Sequence, residues 1–250
     1  MRPMEGRVAL VTGGSSGIGR AAVLAFARQG ARVVFAARRE PEGREVERLA
    51  SEHSPCRFVP LDITAPGAPE ALVQAAQQTW GRLDYALNNA GTEVGIAPLS
   101  VLTEADYDAC AGVNLKATWL CVKHQAAAMR GSGGVIVNNA STAALVGLAG
   151  ATIYGAAKAG VVGLTRAAAI ELAGEGIRVN VVCPSAVRTE MIERLFNHDE
   201  AALGGYVANM PLGRIAQPDE VADAVIWLCS DQARYITGQV LAIDGGFTTK

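Results

Sequence analysis

The sequence has little that would suit it to binding nucleic acid or a charged membrane. Of its 250 residues, 22 are Lys or Arg and 24 are Asp or Glu, which gives a formal net charge of −2. Without a basic surplus there is no bulk attraction to phosphate backbones or anionic lipids. Aromatic residues make up only 5% of the chain, too few for a base-stacking platform. We therefore expect no nucleic-acid partner and no membrane partner.

Cysteine and histidine are also sparse. The chain has five cysteines, none in a C-x-x-C pair, and three histidines. This predicts no metal site and no disulfide framework, with the thiols kept reduced. The segment Met1–Glu5 lacks the apolar core of a signal peptide. The uncharged stretch 131–157 is a poor membrane span because it holds several asparagines, hydroxyl residues and glycines. These features predict a cytoplasmic protein.

Half of the residues are apolar and 18% are charged, so the chain can build a large core. Short β-branched runs alternate with longer helical patterns, and the runs lie at 7–12, 31–36, 56–60, 83–88, 134–139, 177–183 and 239–243. Strands that alternate with helices favour parallel pairing with right-handed crossovers. The prediction is a single domain over 1–250. Its fold would be α/β, a Rossmann-type doubly wound parallel sheet of about seven strands with helices on both faces.

Two longer segments carry further expectations. Thr103 and Asp106 form a capping-box pattern that predicts a helix from there to about Met129. The segment 184–217 lacks the alternating rhythm and is long for a connection within a compact domain. Its many apolar residues suit a lid over a ligand at the carboxyl end of a strand. The alternative is a surface excursion with one helix packed on the domain.

A glycine-rich turn, Thr12-Gly13-Gly14-Ser15-Ser16-Gly17-Ile18-Gly19, joins the first strand to the first helix. Such a turn lets main-chain N–H groups approach a phosphate at a helix N-terminus. It does not fit a nucleoside-triphosphate loop, because Arg20 and Ala21 stand where a lysine and a magnesium-binding hydroxyl belong. It also departs from G-x-G-x-x-G spacing. From these residues alone, phosphate binding and a purely structural turn both stay open.

The pattern T-G-x-x-x-G-I-G resembles the cofactor signature of the short-chain dehydrogenase/reductase family, including its 3-oxoacyl reductase-like members. Other landmarks of that family occur in the same order, from about Val8 to Gly246. They are Asp62 after the third strand, Asn88-Asn89-Ala90-Gly91 after the fourth, Asn114 within a helix, Ser141 after the fifth, Tyr154 and Lys158 as Y-x-x-x-K, and Ile243-Asp244-Gly245-Gly246 near the end. Each motif is common alone, whereas the ordered set is highly specific.

The resemblance implies an enzyme that transfers hydride between NADP(H) and a small carbonyl or alcohol substrate. It also implies a homotetramer, with subunits pairing through the helix that begins near Tyr154. The catalytic residues that it implies are Asn114, Ser141, Tyr154 and Lys158. The cofactor-binding residues are Gly13, Ser15, Ser16, Gly17, Ile18, Gly19, Arg38, Arg39, Asp62, Ile63, Asn89, Ala90, Gly91, Tyr154, Lys158, Pro184, Val187 and Thr189.

Elementary chemistry supports these roles. Tyr154 and Lys158 are four residues apart and share a helix face. A nearby ammonium lowers the pKa of a phenol, so we expect Lys158 to bring Tyr154 closer to useful acid–base range. Ser141 can donate a hydrogen bond to the same substrate oxygen. In the resembling family, the asparagine at position 114 kinks its helix and holds a water beside the lysine.

The end of the second strand predicts the cofactor. In a doubly wound fold, an acid there selects NAD, whereas an arginine accommodates the 2′-phosphate of NADP. In the resembling family that acid would fall at position 37, where this chain has Ala37, and Arg38 follows at the position where NADP-using members carry a basic group, with Arg39 next. Arg38 is therefore expected to bind the phosphate, with Arg39 either assisting or facing solvent.

One departure from the family pattern and several alternatives remain. Pro184-Ser185 stands where the family usually has Pro-Gly, so the loop there is expected to be shaped differently. Other functions on the same fold are a catalytically idle nucleotide-sensing protein and a lyase or epimerase that uses bound cofactor. The apolar residues of 184–217 suggest a mostly nonpolar carbonyl substrate. Sugars, acyl thioesters, steroids and small ketones all stay open.

Overall fold

A single parallel sheet organises the chain. The computed structural model describes residues 2–93, 96–196 and 199–249. Within these ranges, seven strands pair in the order β3-β2-β1-β4-β5-β6-β7, and every pairing is parallel. The strands are β1 (Val8–Thr12), β2 (Arg32–Ala37), β3 (Cys56–Pro60), β4 (Tyr85–Asn88), β5 (Gly134–Asn139), β6 (Ile177–Pro184) and β7 (Val240–Ile243). This confirms the predicted α/β doubly wound fold.

Helices cover both faces of the sheet. In the described residues they are α1 (Gly17–Arg28), α2 (Glu40–Ser51), α3 (Ala68–Trp80), α4 (Glu104–Ala111), α5 (Ala117–Met129), α6 (Thr152–Leu172), α7 (Glu190–Leu195), α8 (Glu200–Val207) and α9 (Pro218–Cys229). One core cluster joins α1, α2 and α9 to one face, and a second joins α3, α5 and α6 to the other. All five residues of β1 are buried, as expected of a strand covered on both sides.

The predicted helix over 103–129 is not continuous. Thr103 and Asp106 form the expected capping box at the start of α4. The helix then widens into a π-helical turn over Gly112–Lys116 before α5 begins. Asn114 lies in that turn, and its side-chain amide donates to the main-chain oxygen of Cys110 at 3.0 Å. The interruption therefore falls at the polar residue, because its amide competes with the regular helical bonding.

The segment 184–217 contains two helices, α7 and α8, where the alternative interpretation expected one. A small apolar cluster of its own holds this segment together. The buried members are Ala186, Leu203, Met210 and Ile215, and the partly buried ones are Ile192, Phe196, Tyr206, Val207 and Phe247. Much of the apolar content of the segment thus serves its own packing. Among the described residues, no helix is both long and apolar enough to cross a membrane.

A close approach between α2 and β3 gives the first prediction. A Cβ atom at Gly43 would lie 2.3 Å from the Phe58 ring. We expect Gly43→Ala to lower the free energy of unfolding by about 1–3 kcal/mol through overpacking. Thermal unfolding measures this. Gly204→Ala is the matched control, since no atom lies within 4 Å of its added Cβ. The control should gain about 0.5–1 kcal/mol from helix propensity. A Gly43→Ala protein as stable as wild type would contradict the prediction.

Candidate active site

A cleft of about 1140 Å³ opens at the carboxyl edge of the sheet. Its position follows from the strand order, since β1 and β4 are neighbours whose following segments leave toward opposite sides. All the residues that the sequence assigned to catalysis or cofactor binding line this cleft, with the exception of Gly19. The tertiary structure therefore brings together residues that are up to 176 positions apart in the chain, from Gly13 to Thr189.

Gly19 acts in the wall of the cleft rather than at its surface. A Cβ atom there would lie 2.1 Å from the main-chain oxygen of Gly13 and 2.6 Å from the side-chain nitrogen of Asn89. Gly17 has a positive φ of 51°, and its Cβ would lie 2.9 Å from Cγ2 of Thr189. The turn is therefore a close-packed cradle that side chains at these two positions would fill.

The N-terminus of α1 faces this cradle. Ser16 is the N-cap residue, yet its side chain makes no capping hydrogen bond. The first main-chain N–H groups of the helix consequently keep their capacity to donate, and the helix dipole favours an anion at that end. The open cradle and the uncapped amides fit the diphosphate of a dinucleotide cofactor.

The end of β4 is fastened to the same turn. The hydroxyl oxygen of Thr12 accepts from the main-chain nitrogens of Asn89 and Ala90, each at 3.0 Å. The side-chain nitrogen of Asn89 donates to the main-chain oxygens of Thr12 at 3.2 Å and Gly13 at 3.3 Å. These bonds hold the β1 turn and the β4 end as one unit.

Lys158, on α6, is buried beside the end of β5. Its side chain is only 3% exposed, and Nζ donates to the main-chain oxygen of Asn139 at 2.9 Å. Burial lowers the pKa of Lys158 to about 8, while nearby Cys110 and Cys183 oppose this in part. The ammonium also lies 5.7 Å from the centroid of the Tyr154 ring.

The pKa of Tyr154 shifts in the direction opposite to the prediction. Burial raises the pKa of its phenol to about 12, and a hydrogen bond with Ser141 opposes that rise only in part. Lys158 does not lower it here because the ammonium lies over the ring face and is bonded to Asn139. The phenol is therefore protonated at neutral pH.

Asn114 contacts the loop after β4 directly. Its side-chain nitrogen donates to the main-chain oxygen of Thr92 at 2.8 Å, and its side-chain oxygen accepts from the Thr92 nitrogen at 3.3 Å. A Cβ atom at Gly91 would lie 2.9 Å from that oxygen and 3.5 Å from Nζ of Lys158. The glycine therefore lets the asparagine and the lysine come close to the strand end.

At the other end of the cleft, the two arginines differ. Arg38 is exposed and makes no hydrogen bond or ion pair to any described residue, whereas Nη1 of Arg39 lies 2.7 Å from Glu190 of α7. Asp62 is engaged with Thr64, whose main-chain nitrogen and hydroxyl donate to it at 2.9 and 2.7 Å. These bonds lower the pKa of Asp62. Of the two, Arg38 is therefore the arginine that could bind an anion without first breaking an ion pair to a described residue.

The Pro184-Ser185 position has a regular contact. The main-chain nitrogen of Ser185 donates to the oxygen of Ile243 at 3.2 Å and so prolongs the pairing of β6 with β7. Ser185, Pro184, Val187 and Thr189 all line the cleft. The serine therefore sits in a strand-like connection at the site.

Two features of the site were missed by sequence reasoning. Glu93 pairs with Arg194 of α7 at 3.1 Å across the mouth of the cleft. The side-chain oxygen of Asn139 is buried with no hydrogen-bond partner among the described residues. Leaving such an atom unsatisfied costs about 1–3 kcal/mol. The only signal in the sequence was a second asparagine at the end of a buried strand. The described residues contain no cluster of potential metal ligands.

Comparisons with known proteins agree with this geometry. A family model described as Enoyl-(Acyl carrier protein) reductase matches residues 13–248. The A-factor type gamma-butyrolactone 1'-reductase (1S-forming) of Streptomyces virginiae is 38% identical over 245 residues, which cover 97% of this chain and 95% of that protein. The 2,5-dichloro-2,5-cyclohexadiene-1,4-diol dehydrogenase of Sphingobium indicum is 40% identical over 251 residues, with 99% of each chain covered.

The crystal structure of levodione reductase superposes with a TM-score of 0.94 at 33% identity, covering 98% of this chain and 99% of that one. The fold and the site together define a nicotinamide-dependent oxidoreductase. The chain belongs to the short-chain dehydrogenase/reductase family, as its motifs predicted.

The buried lysine gives the second prediction. Because its pKa falls from an ordinary 10.5 to about 8, the buried charge costs about 3 kcal/mol at neutral pH. Lys158→Met removes that cost but leaves the Asn139 oxygen unpaired, which offsets about 1 kcal/mol. We expect a net gain in unfolding free energy of about 1–2 kcal/mol at pH 7.

The sign of the pH dependence follows from proton binding. Between about pH 8 and 10.5 the unfolded wild-type chain binds more protons at this lysine, so its stability rises with pH. The advantage of Lys158→Met should therefore be full below pH 8 and disappear as the pH rises to 10.5. Thermal unfolding at pH 7 and pH 10 measures it. Lys123→Met, on the exposed surface of α5, is the control and should stay near wild type. A Lys158→Met protein less stable than wild type at pH 7 would refute the assignment.

Proposed function

We propose that the chain is an NADP(H)-dependent oxidoreductase that interconverts a carbonyl and a secondary alcohol. The observation that carries this proposal is the meeting of Ser141, Tyr154, Lys158 and Asn114 in the cleft that also contains the glycine-rich cradle. The cofactor supplies or accepts the hydride, and the protein supplies orientation and a proton.

Tyr154 has the role of the general acid–base group. Its raised pKa keeps the phenol protonated at neutral pH, which suits donation to a carbonyl oxygen in the direction of reduction. Ser141 donates a second hydrogen bond to that oxygen and stabilises the negative charge that develops on it. Oxidation requires the phenolate, and burial disfavours that form in the cofactor-free structure.

Lys158 and the loop residues hold the nicotinamide end. The ammonium is the donor suited to the ribose hydroxyls, while Asn114 fixes the loop that contains Gly91 and Thr92. The helix α1 and the glycine turn hold the diphosphate. The remaining proposed contacts along the cleft are made by Ser15, Ser16, Ile18, Asp62, Ile63, Ala90, Pro184, Val187 and Thr189.

The substrate is proposed to be a mostly nonpolar ketone or alcohol that contains a ring. The side of the cleft near α7 is lined by Ile96, Leu148, Met191, Leu195 and Phe196. The names of two relatives, a gamma-butyrolactone reductase and a cyclohexadienediol dehydrogenase, both specify ring compounds. The segment 184–217 would close over such a substrate as a lid.

The test of the reaction is the absorbance of NADPH with a panel of ketones. Cyclic ketones should oxidise NADPH faster than linear sugars or acyl thioesters. An idle binding protein would oxidise no cofactor with any of them, and a lyase or epimerase would convert its substrate without net oxidation. Either result would overturn the proposed activity.

A homotetramer in the cytoplasm is the proposed form of the enzyme. Trp119 is 49% exposed and Tyr107 is 54% exposed beside α6, which is a large apolar surface for an isolated subunit. An added Cβ at Gly160 would meet Leu115, so close packing within the subunit explains that glycine. Gly163 is exposed and contacts nothing within 4 Å, which suits the approach of a second subunit. Light scattering of the purified protein gives the assembly mass.

The third prediction concerns the proton donor. We expect Tyr154→Phe to bind NADPH as wild type does and to lose about 10²–10⁴-fold in turnover, because only the acid–base group is removed. A steady-state assay measures the turnover, and a cofactor titration measures the binding of NADPH separately. Tyr206→Phe is the matched control, since it removes a phenol at the edge of the same cleft. Turnover of Tyr154→Phe within twofold of wild type would exclude the role.

The fourth prediction concerns cofactor choice. Wild-type enzyme should prefer NADPH, since charged hydrogen bonds to phosphate contribute roughly 1.5–3 kcal/mol each. Ala37→Asp with Arg38→Leu should move the preference toward NADH by repelling the phosphate and supplying an acceptor for the ribose. The ratio of kcat/KM for the two cofactors measures this. Arg39→Leu is the control and should have a smaller effect, because that arginine is paired with Glu190. A wild-type preference for NADH would contradict the assignment of Arg38.

A further inference from the structure

We propose that Asn139 is a positioning residue that ties the phosphate-binding turn to the catalytic lysine, an inference that rests on the proposed function. Its main-chain oxygen accepts from Nζ of Lys158 at 2.9 Å. Its side-chain nitrogen donates to the side-chain oxygen of Asn89, also at 2.9 Å. Asn89 in turn donates to the main-chain oxygens of Thr12 and Gly13. One residue at the end of β5 thus contacts both halves of the site.

The main-chain oxygens of the turn fix the direction of the hydrogen bonds that link it to Asn89 and Asn139. The carbonyl oxygens of Thr12 and Gly13 accept only, so the Asn89 nitrogen must point at them and the Asn89 oxygen must point away. That oxygen requires a donor, and the Asn139 nitrogen is the donor. The Asn139 oxygen is therefore left on the opposite side, where it is buried without a partner. Rotating the Asn139 amide would bring two oxygens together.

The unpartnered oxygen shows what the side chain does. An aliphatic residue at position 139 would remove the unpaired Asn139 oxygen, but it would also leave the Asn89 side-chain oxygen without its donor. The Asn139 amide provides the hydrogen-bond donor that holds the Asn89 side-chain oxygen in its orientation.

The packing around Asn89 transmits its position to the turn. A Cβ atom at Gly19 would lie 2.6 Å from the Asn89 nitrogen, so the amide and the turn have no free space between them. Losing the Asn139 donor would let the Asn89 side chain rotate. The hydrogen bonds to Thr12 and Gly13 would then weaken, and the cradle for the diphosphate would loosen. Lys158 would keep its contact, because that contact is to the main chain of residue 139.

The experiment replaces Asn139 with leucine, which is similar in size and has no donor. We expect the Kd for NADPH, measured by calorimetry, to rise about 2- to 10-fold, the equivalent of one neutral hydrogen bond. The KM for NADPH should rise with the Kd, whereas kcat and its pH profile should change less, because Lys158 contacts only the main chain of residue 139. Asn139→Val is the second variant, smaller and compatible with a strand, in case leucine does not fit.

A second readout needs neither cofactor nor turnover. Hydrogen exchange of the amides over 13–19 in cofactor-free protein should become faster in Asn139→Leu. Thr165→Val is the matched control, because it breaks a buried side-chain bond at 2.9 Å to Asn138, the neighbour of Asn139 on the same strand. The control should lower the melting temperature while leaving the Kd and the exchange of the turn unchanged.

The outcomes separate this inference from the proposed function. A looser turn in Asn139→Leu supports the positioning role even if wild-type enzyme reduces no ketone. If Asn139→Leu and Asn139→Val change only the melting temperature, as Thr165→Val does, then Asn139 is merely structural and the proposal is overturned. An unchanged Kd together with unchanged exchange of 13–19 overturns it as well.

Discussion

The contact between the β1 turn and the end of β4 is the constraint on which the site depends. These strands are neighbours in the sheet, yet the chain leaves them toward opposite sides, so their carboxyl ends border an open cleft. The turn approaches Asn89 so closely that a single added carbon at Gly19 would overlap the Gly13 oxygen. The hydrogen bonds between the β1 turn and the end of β4 therefore set the position of the proposed cofactor-binding residues in these two segments.

Burial decides the charge states of Lys158 and Tyr154. The same desolvation lowers the pKa of Lys158 and raises that of Tyr154, because it disfavours the charged form of each. At neutral pH the shift costs folding free energy only for Lys158, because the Tyr154 phenol is neutral in both the folded and the unfolded chain. One main-chain oxygen, that of Asn139, is the hydrogen-bond acceptor for the buried ammonium. Holding the Lys158 ammonium at this buried position thus lowers the stability of the folded chain.

The segment 184–217 combines two tasks. An apolar cluster packs the segment together with Phe247, while residues of α7 line the cleft. Exposed ion pairs link α7 to both rims, through Arg39 with Glu190 and Arg194 with Glu93. Exposed pairs contribute little to stability.

The sequence by itself determined the class of fold, most strand positions and the residues that line the cleft. Alternating runs and ordered motifs are local signals, and a buried parallel strand such as β1 is apolar except for its last residue, Thr12. The π-helical turn at Asn114, the two helices within 184–217 and the partners of each arginine were decided only by tertiary structure. So was the direction of the Tyr154 pKa shift, since it depends on burial and on where the ammonium lies. The orphaned oxygen of Asn139 could not be read from sequence, because it results from the direction of hydrogen bonds among three distant segments.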